Sequence, residues 1–141
     1  MTAPTDRALL DEALRRAIRY LDGIDARSVG ADPAALEGLA RLGGPLPDDG
    51  AAPIDVLALL DEAGSPATVA CAGGRYFGFV TGGVLPAALA AGWLASAWDQ
   101  NAFSTVSSPV GAAIEAIALE WLLDALALPP ESGGAFVTGA T

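Results

Sequence analysis

The sequence contains no lysine and no histidine, and these two absences restrict its chemistry more than any other feature of its composition. A Schiff base with the protein needs a lysine amine, while most general acid–base catalysis and most zinc sites use histidine. Cys71 is the single cysteine, so an internal disulfide and a multi-thiolate site are both excluded. We therefore predict no metal site, and a lone thiol fits the reducing conditions of a cytoplasmic protein.

Basic side chains are also scarce, since seven arginines stand against 17 acidic residues and give a formal charge of −10. Such a surface repels nucleic-acid phosphates and anionic membranes. The uncharged stretch 76–98 has the length of a membrane span, but glycines, a proline and many alanines interrupt it and no basic cluster flanks it. We therefore expect neither nucleic-acid binding nor a membrane span.

Large apolar side chains are few relative to alanine and glycine, which suits closely packed helices. Apolar periodicity predicts helices at 6–22, 33–42 and 54–63, with a turn-rich connector at 43–53. Asp32 is placed to cap the second helix, whose first turn contains Pro33. The first half of the chain is therefore predicted to be helical throughout.

The second half begins with RYFGFVTGG at 75–83, which reads as a short extended segment closing on two glycines. The helix predicted at about 85–99 is apolar nearly all round, a pattern typical of a helix buried on every side. Ser108 and Pro109 start a further helix that runs to about Leu126. The pattern at 135–137 indicates a strand, so the chain is expected to be mostly α-helical with one or two short strands.

The closing segment GGAFVTGAT, at 133–141, carries the clearest chemical signal. A buried strand that enters a turn of small residues before a helix is a common geometry for holding a phosphate. Gly139 lets the backbone approach a ligand, and the Thr141 hydroxyl adds a hydrogen-bond donor. Such turns are widespread, so the surrounding motifs decide how specific the signal is.

Three motifs stand in order along the chain: RYFGFVTGG, WDQNAFSTVSSP at 98–109, and GGAFVTGAT. Their order resembles the pyridoxal-phosphate-dependent group II amino-acid decarboxylases, which include aromatic-amino-acid, glutamate and diaminobutyrate decarboxylases. The resemblance is loose over 1–65 and clear over 75–141. It implies an α/β parent of fold type I, the PLP-dependent transferase fold, with 1–74 as a helical arm that wraps the second protomer of a homodimer. Residues 75–141 would then begin a truncated, large PLP-binding domain.

The resemblance implies two groups of binding residues. The first is the turn that holds the phosphate of pyridoxal 5′-phosphate, formed by Gly139, Ala140 and Thr141. The second lies beside an amino-acid substrate and comprises Phe79, Thr81, Gly82 and Phe103. Each has a structural alternative, since Phe79 and Phe103 could be core aromatics and Ser108 is more typical of a helix cap than of a ligand.

Departures from the family pattern limit what the chain can do alone. The ring-stacking histidine, the aspartate at the pyridine nitrogen and the Schiff-base lysine would all follow Thr141. Gly73 and Gly74 stand where the family often has His-Pro. The implied function is therefore the N-terminal part of an amino-acid carboxy-lyase, with no catalytic residue in this chain and no activity alone.

Two alternatives remain open. One is a fragment of another fold-type I PLP enzyme, such as an aminotransferase or an aldolase, because reaction type depends on residues around the imine. The other is a helical dimerisation or interaction module without enzymatic activity, which needs neither lysine nor histidine. In either case we expect an apolar helix such as 85–99 to need covering, and its exposure to favour association.

Overall fold

A computed structural model of the chain describes residues 7–137. The structure is mostly helical, at 56%, and residues 7–137 contain no β-strand. The chain divides into two compact units, Met1–Val84 and Leu85–Thr141, called unit 1 and unit 2 below. This division follows contacts within the chain, whereas the sequence boundary after Gly74 refers to domains of the implied parent.

Unit 1 contains α1 (Arg7–Asp22), α2 (Pro33–Gly38) and α3 (Pro53–Leu59). A 3₁₀ turn, Leu39–Leu42, extends α2, and a π-helical turn, Leu60–Gly64, extends α3. Asp32 caps α2 as predicted, because its carboxylate accepts the Ala34 N–H at 2.8 Å. The three predicted helices of this half are thus confirmed.

The most apolar face of α1 points outward. Leu10, Leu14 and Ile18 are 57%, 43% and 48% exposed, whereas Glu12 and Arg16 are half-buried against the rest of unit 1. The buried hydrophobic residues of unit 1 among those described are two alanines, Ala63 and Ala70. Unit 1 therefore has a very small fully buried core, and the face of α1 that carries Leu10, Leu14 and Ile18 is left uncovered.

Unit 2 contains α4 (Pro86–Trp98) and α5 (Pro109–Ala125), both within a residue or two of their predicted ends. The Ser108 hydroxyl accepts the Gly111 N–H at 3.1 Å and is fully buried, which confirms its role as a cap. The segment after α5 folds back on one face of it, where the Leu128 N–H donates to the Leu123 carbonyl and Gly134 lies against Leu119. Leu123, on that face, is buried.

Two structural expectations are corrected. Neither 75–83 nor 135–137 forms a strand in the part of the chain that the structure describes. A strand requires a hydrogen-bonded neighbour, and neither segment has a ladder partner there. The helix α4, whose apolar pattern is typical of a helix buried on every side, is exposed within the described chain, with Trp93 at 42% and Trp98 at 49%, as expected of a helix that needs covering. The described part of unit 2 packs no second helix closely along α4.

Candidate functional site

The predicted phosphate turn, Gly139, Ala140 and Thr141, lies outside the described residues. Its assignment stays a prediction from the sequence. The residues predicted to line a substrate site fall into two places, a loop of unit 1 and a loop of unit 2.

The loop of unit 1 carries Phe79, Thr81 and Gly82 and presents an aromatic ring to solvent. Phe79 is 95% exposed, so it is a surface side chain and not a core aromatic. Phe79 and Val80 both adopt left-handed backbone conformations, with φ of 53° and 55°. This conformation is strained for a β-branched residue such as valine, and such strain clusters at functional sites. The Thr81 N–H closes the turn by donating to the Gly78 carbonyl at 3.1 Å.

The loop of unit 2 carries Phe103, which is 87% exposed. A network of short polar side chains holds this loop. The Phe103 N–H donates to Asn101 Oδ1 at 3.1 Å, and the Ser107 hydroxyl donates to the Asn101 carbonyl at 2.8 Å. Asn101 therefore holds the loop after α4 through its hydrogen bonds. Phe103 projects from this loop into solvent.

The structure brings Phe79, Thr81 and Gly82 together in one loop and places Phe103 in the other unit. Ser108 is not a candidate ligand, since its hydroxyl is fully buried and accepts a hydrogen bond from the Gly111 N–H.

A network of arginines and carboxylates joins α1 to the π-helical turn. Asp61 accepts hydrogen bonds from Arg16, at 2.8 Å, and from Arg19, and the side chains of Arg16 and Asp61 are 14% and 16% exposed. Glu12 accepts from Arg15 and from Arg16. The hydrogen bond from Arg15, followed by that from Arg16, lowers the pKa of Glu12 to about 2.

The same network raises the pKa of Arg15 through its hydrogen bond to Glu12, and that of Arg16 through its hydrogen bond to Asp61. Glu12, Arg15 and Arg16 therefore stay charged and paired near neutral pH, so none of these three is poised to transfer a proton. The sequence predicts these pairs, because Arg15 and Arg16 follow Glu12 by three and four residues on one helix. No local signal identifies Asp61, which lies far along the chain.

An open cleft of about 360 Å³ lies beside this network, between α1 and the segment from α3 to Thr68. Its volume falls in the range of small-molecule sites. Its lining is mainly apolar, and its polar groups bond to one another: Tyr20 Oη lies 2.9 Å from Thr68 Oγ1, and Arg16 binds Asp61. The cleft thus offers a mainly apolar surface, and the side chains of Tyr20, Thr68, Arg16 and Asp61 in its lining are already hydrogen-bonded to one another.

Residues 7–137 contain neither a cluster of metal ligands nor a helix that could span a membrane. Between residues 7 and 137, no three side chains among histidine, cysteine, aspartate and glutamate are grouped to hold a metal ion. Every described helix is too short or too polar to reach across a bilayer. The Cys71 thiol is free and half-buried.

Comparisons with protein-family models, curated proteins and solved structures find no match to this chain. Any functional interpretation of this chain therefore depends on the order of its sequence motifs and on the positions of Phe79 and Phe103 in the structure.

Proposed function

We propose that this chain supplies the N-terminal arm and the first part of the cofactor domain of a pyridoxal-phosphate-dependent amino-acid decarboxylase. The observation that carries the proposal is the order of the three motifs at 75–83, 98–109 and 133–141. Each motif alone is common, but their succession with the intervening alanine-rich helix resembles one enzyme family. The acidic, lysine-free composition does not argue against it, because the implied catalytic residues lie elsewhere.

The exposure of the two predicted substrate aromatics supports this proposal. Phe79 and Phe103 are 95% and 87% exposed, so both rings are available to contact a ligand or a second subunit. Strain at Phe79 and Val80 adds support, since a left-handed pair of non-glycine residues is retained where loop shape matters. A purely structural loop at this place would more readily use glycine or asparagine.

The donor set of the closing turn fits a phosphate group chemically. Backbone N–H groups at Gly139 and Ala140 and the hydroxyl of Thr141 would hold it, as donors at the start of a helix commonly do. When bound, the cofactor supplies an electron sink for loss of the substrate carboxylate. The 141 residues contain no lysine, so the amine that anchors the cofactor would come from outside them.

The coding sequence that follows codon 141 tests this proposal directly. We expect it to begin with small and polar residues of a helix and to encode, well downstream, a lysine next to a histidine. If the reading frame provides neither, the enzyme assignment is wrong. The purified 141-residue chain, mixed with pyridoxal phosphate and amino acids, should release no carbon dioxide, and turnover by this chain alone would contradict the proposal.

The phosphate turn has its own test in the longest polypeptide that the gene encodes. Thr141→Val removes one hydroxyl donor to a charged group and should weaken cofactor binding about tenfold or more, measured by titration of absorbance. Thr105→Val is the matched control at an exposed threonine outside the turn, and its affinity should be unchanged. Equal affinities for all three proteins would remove Thr141 from the site.

A second candidate function is a helical dimerisation or interaction module, favoured by the outward apolar face of α1. An oligomer of the 141-residue chain that melts cooperatively and does not aggregate would support this candidate.

A third candidate is another fold-type I reaction such as transamination. Product analysis separates it from decarboxylation, because only decarboxylation releases carbon dioxide.

A further inference from the structure

An apolar stripe runs along the outward face of α5. Its residues recur at helical spacing and are Val110, Ile114, Ile117 and Trp121, with exposed fractions of 40%, 56%, 46% and 73%. The opposite face of α5 carries the buried Leu123 and is covered by the segment that follows the helix. The stripe is therefore the side of a structured helix that is left open, and contiguous apolar surface of this kind marks interaction sites.

Carboxylates flank the stripe on one side. Glu120 and Asp124 lie one turn apart beside Ile117 and Trp121, whereas Glu115 lies one turn before Leu119, towards the covered face. Unit 2 carries five acidic residues and no basic residue, so no cation of this unit neutralises the rim.

The arginines of unit 1 are already engaged. Five pair with carboxylates, and Arg27 and Arg75 donate to backbone carbonyls of unit 1. The rim of α5 therefore lacks a positive partner in the described chain.

We propose that the stripe and its rim bind an amphipathic helix of another polypeptide whose apolar face is bordered by lysines or arginines. A helix is the occupant that fits, because the stripe is about 17 Å long at 1.5 Å per residue and is built from the 3–4 spacing that interlocks with a second helix. The basic border follows from charge complementarity, since like charges across an interface are strongly disfavoured.

The acidic rim argues against other occupants. A second copy would bring together two units that each carry five acidic residues and no basic residue, and an anionic lipid surface would be repelled in the same way. The area of four side chains is below that of a standard stable interface, so we expect a dissociation constant of about micromolar or weaker. This surface contains none of the residues assigned to the cofactor or the substrate, so its test is independent of the proposed function.

The three tryptophans of the chain, Trp93, Trp98 and Trp121, all belong to unit 2 and report on this binding. The full 141-residue chain is titrated with a synthetic amphipathic peptide that has leucines along one face and lysines on both borders. The comparison peptide carries glutamates in place of the lysines. We expect a blue shift of tryptophan emission with the lysine peptide, weakened by added salt, and a much smaller one with the glutamate peptide.

The double variant Glu120→Gln, Asp124→Asn should weaken binding of the lysine peptide about fivefold, because each rim charge contributes modestly. Asp99→Asn is the matched control, since it removes a carboxylate at the end of α4 and retains a side chain that tolerates the left-handed backbone there. Its affinity should equal that of the unaltered chain. Circular dichroism checks that the variants keep their helices.

Three results would overturn the proposal. Equal binding of both peptides would show unspecific apolar adhesion. A concentration-dependent emission shift without peptide, abolished by Trp121→Gln, would identify a second copy as the occupant of the stripe. Binding to neutral lipid vesicles without binding to the lysine peptide would identify a lipid surface instead.

Discussion

Ser108 shows how much of unit 2 depends on one hydroxyl. It is fully buried and accepts the Gly111 N–H, so its removal leaves an unpaired donor at the start of α5. We expect Ser108→Ala to lower the free energy of unfolding by about 1 kcal/mol, and up to about 2 kcal/mol. Urea unfolding followed by tryptophan emission measures this in unit 2. Ser96→Ala, at an exposed mid-helix serine, should change stability by less than about 0.5 kcal/mol, and an equal loss there would contradict the capping role.

Glu12 makes the stability of unit 1 depend on acid. Its hydrogen bonds from Arg15 and then Arg16 depress its pKa from 4.5 to about 2. A depressed carboxyl pKa stabilises the fold fully above the unfolded value, and this contribution is lost as pH falls from about 4.5 towards about 2. We expect Glu12→Gln to flatten the decline of the unfolding midpoint in that window, measured by circular dichroism. Glu37→Gln, at an exposed glutamate, should leave the decline as it is; equal flattening would refute the assignment.

Residues with local partners were the predictable ones. Asp32 and Ser108 are helix caps whose partners lie two or three residues away, and the sequence alone assigns them. Asp61 binds Arg16 and Arg19 across more than forty positions, which only the packing of α1 on α3 determines. The local phosphate turn at Gly139 to Thr141 was predicted on the same local grounds and lies outside the described residues.

At the scale of elements, the two faces of α5 behave differently, and neighbouring leucines separate them. Leu123 is buried, whereas Leu122 is 46% exposed. We expect Leu123→Ala to destabilise unit 2 by about 2 kcal/mol or more, because a cavity remains beside the segment that covers it. Leu122→Ala should cost less than about 1 kcal/mol. Urea unfolding by tryptophan emission compares them, and equal losses would mean that the segment after α5 does not cover Leu123.

The helices were predictable because periodicity, prolines at first turns and capping residues act within a few residues. The burial of each helix was not predictable in this way. The apolar pattern of α4 predicts a covered helix, but the covering surface is a property of tertiary packing that no periodicity encodes, and Trp98 remains 49% exposed. The strand predicted at 135–137 is absent for a related reason, since an extended segment becomes a strand only when it is hydrogen-bonded to a neighbouring strand.

At the scale of the whole molecule, the outward apolar face of α1 should determine whether two copies of the chain associate. Leu10, Leu14 and Ile18 are uncovered in unit 1, so burying them against a second copy would remove apolar surface from water without disturbing the face of α1 that packs within unit 1. The formal charge of −10 on each copy opposes association. Added salt screens this repulsion and should therefore strengthen association. Both effects are open to measurement by sedimentation over a range of concentration.

We expect Leu14→Gln with Ile18→Gln to raise the dissociation constant of such a dimer at least about tenfold, because each buried aliphatic side chain contributes about 1 kcal/mol or more. Helicity should stay the same, since both side chains face outward. Leu46→Gln is the matched control, at a leucine of the connector that is 93% exposed, and should sediment like the unaltered chain. Unchanged association in the double variant would show that α1 is not the arm that joins two copies, and the dimeric part of the proposed function would have to reside in another surface.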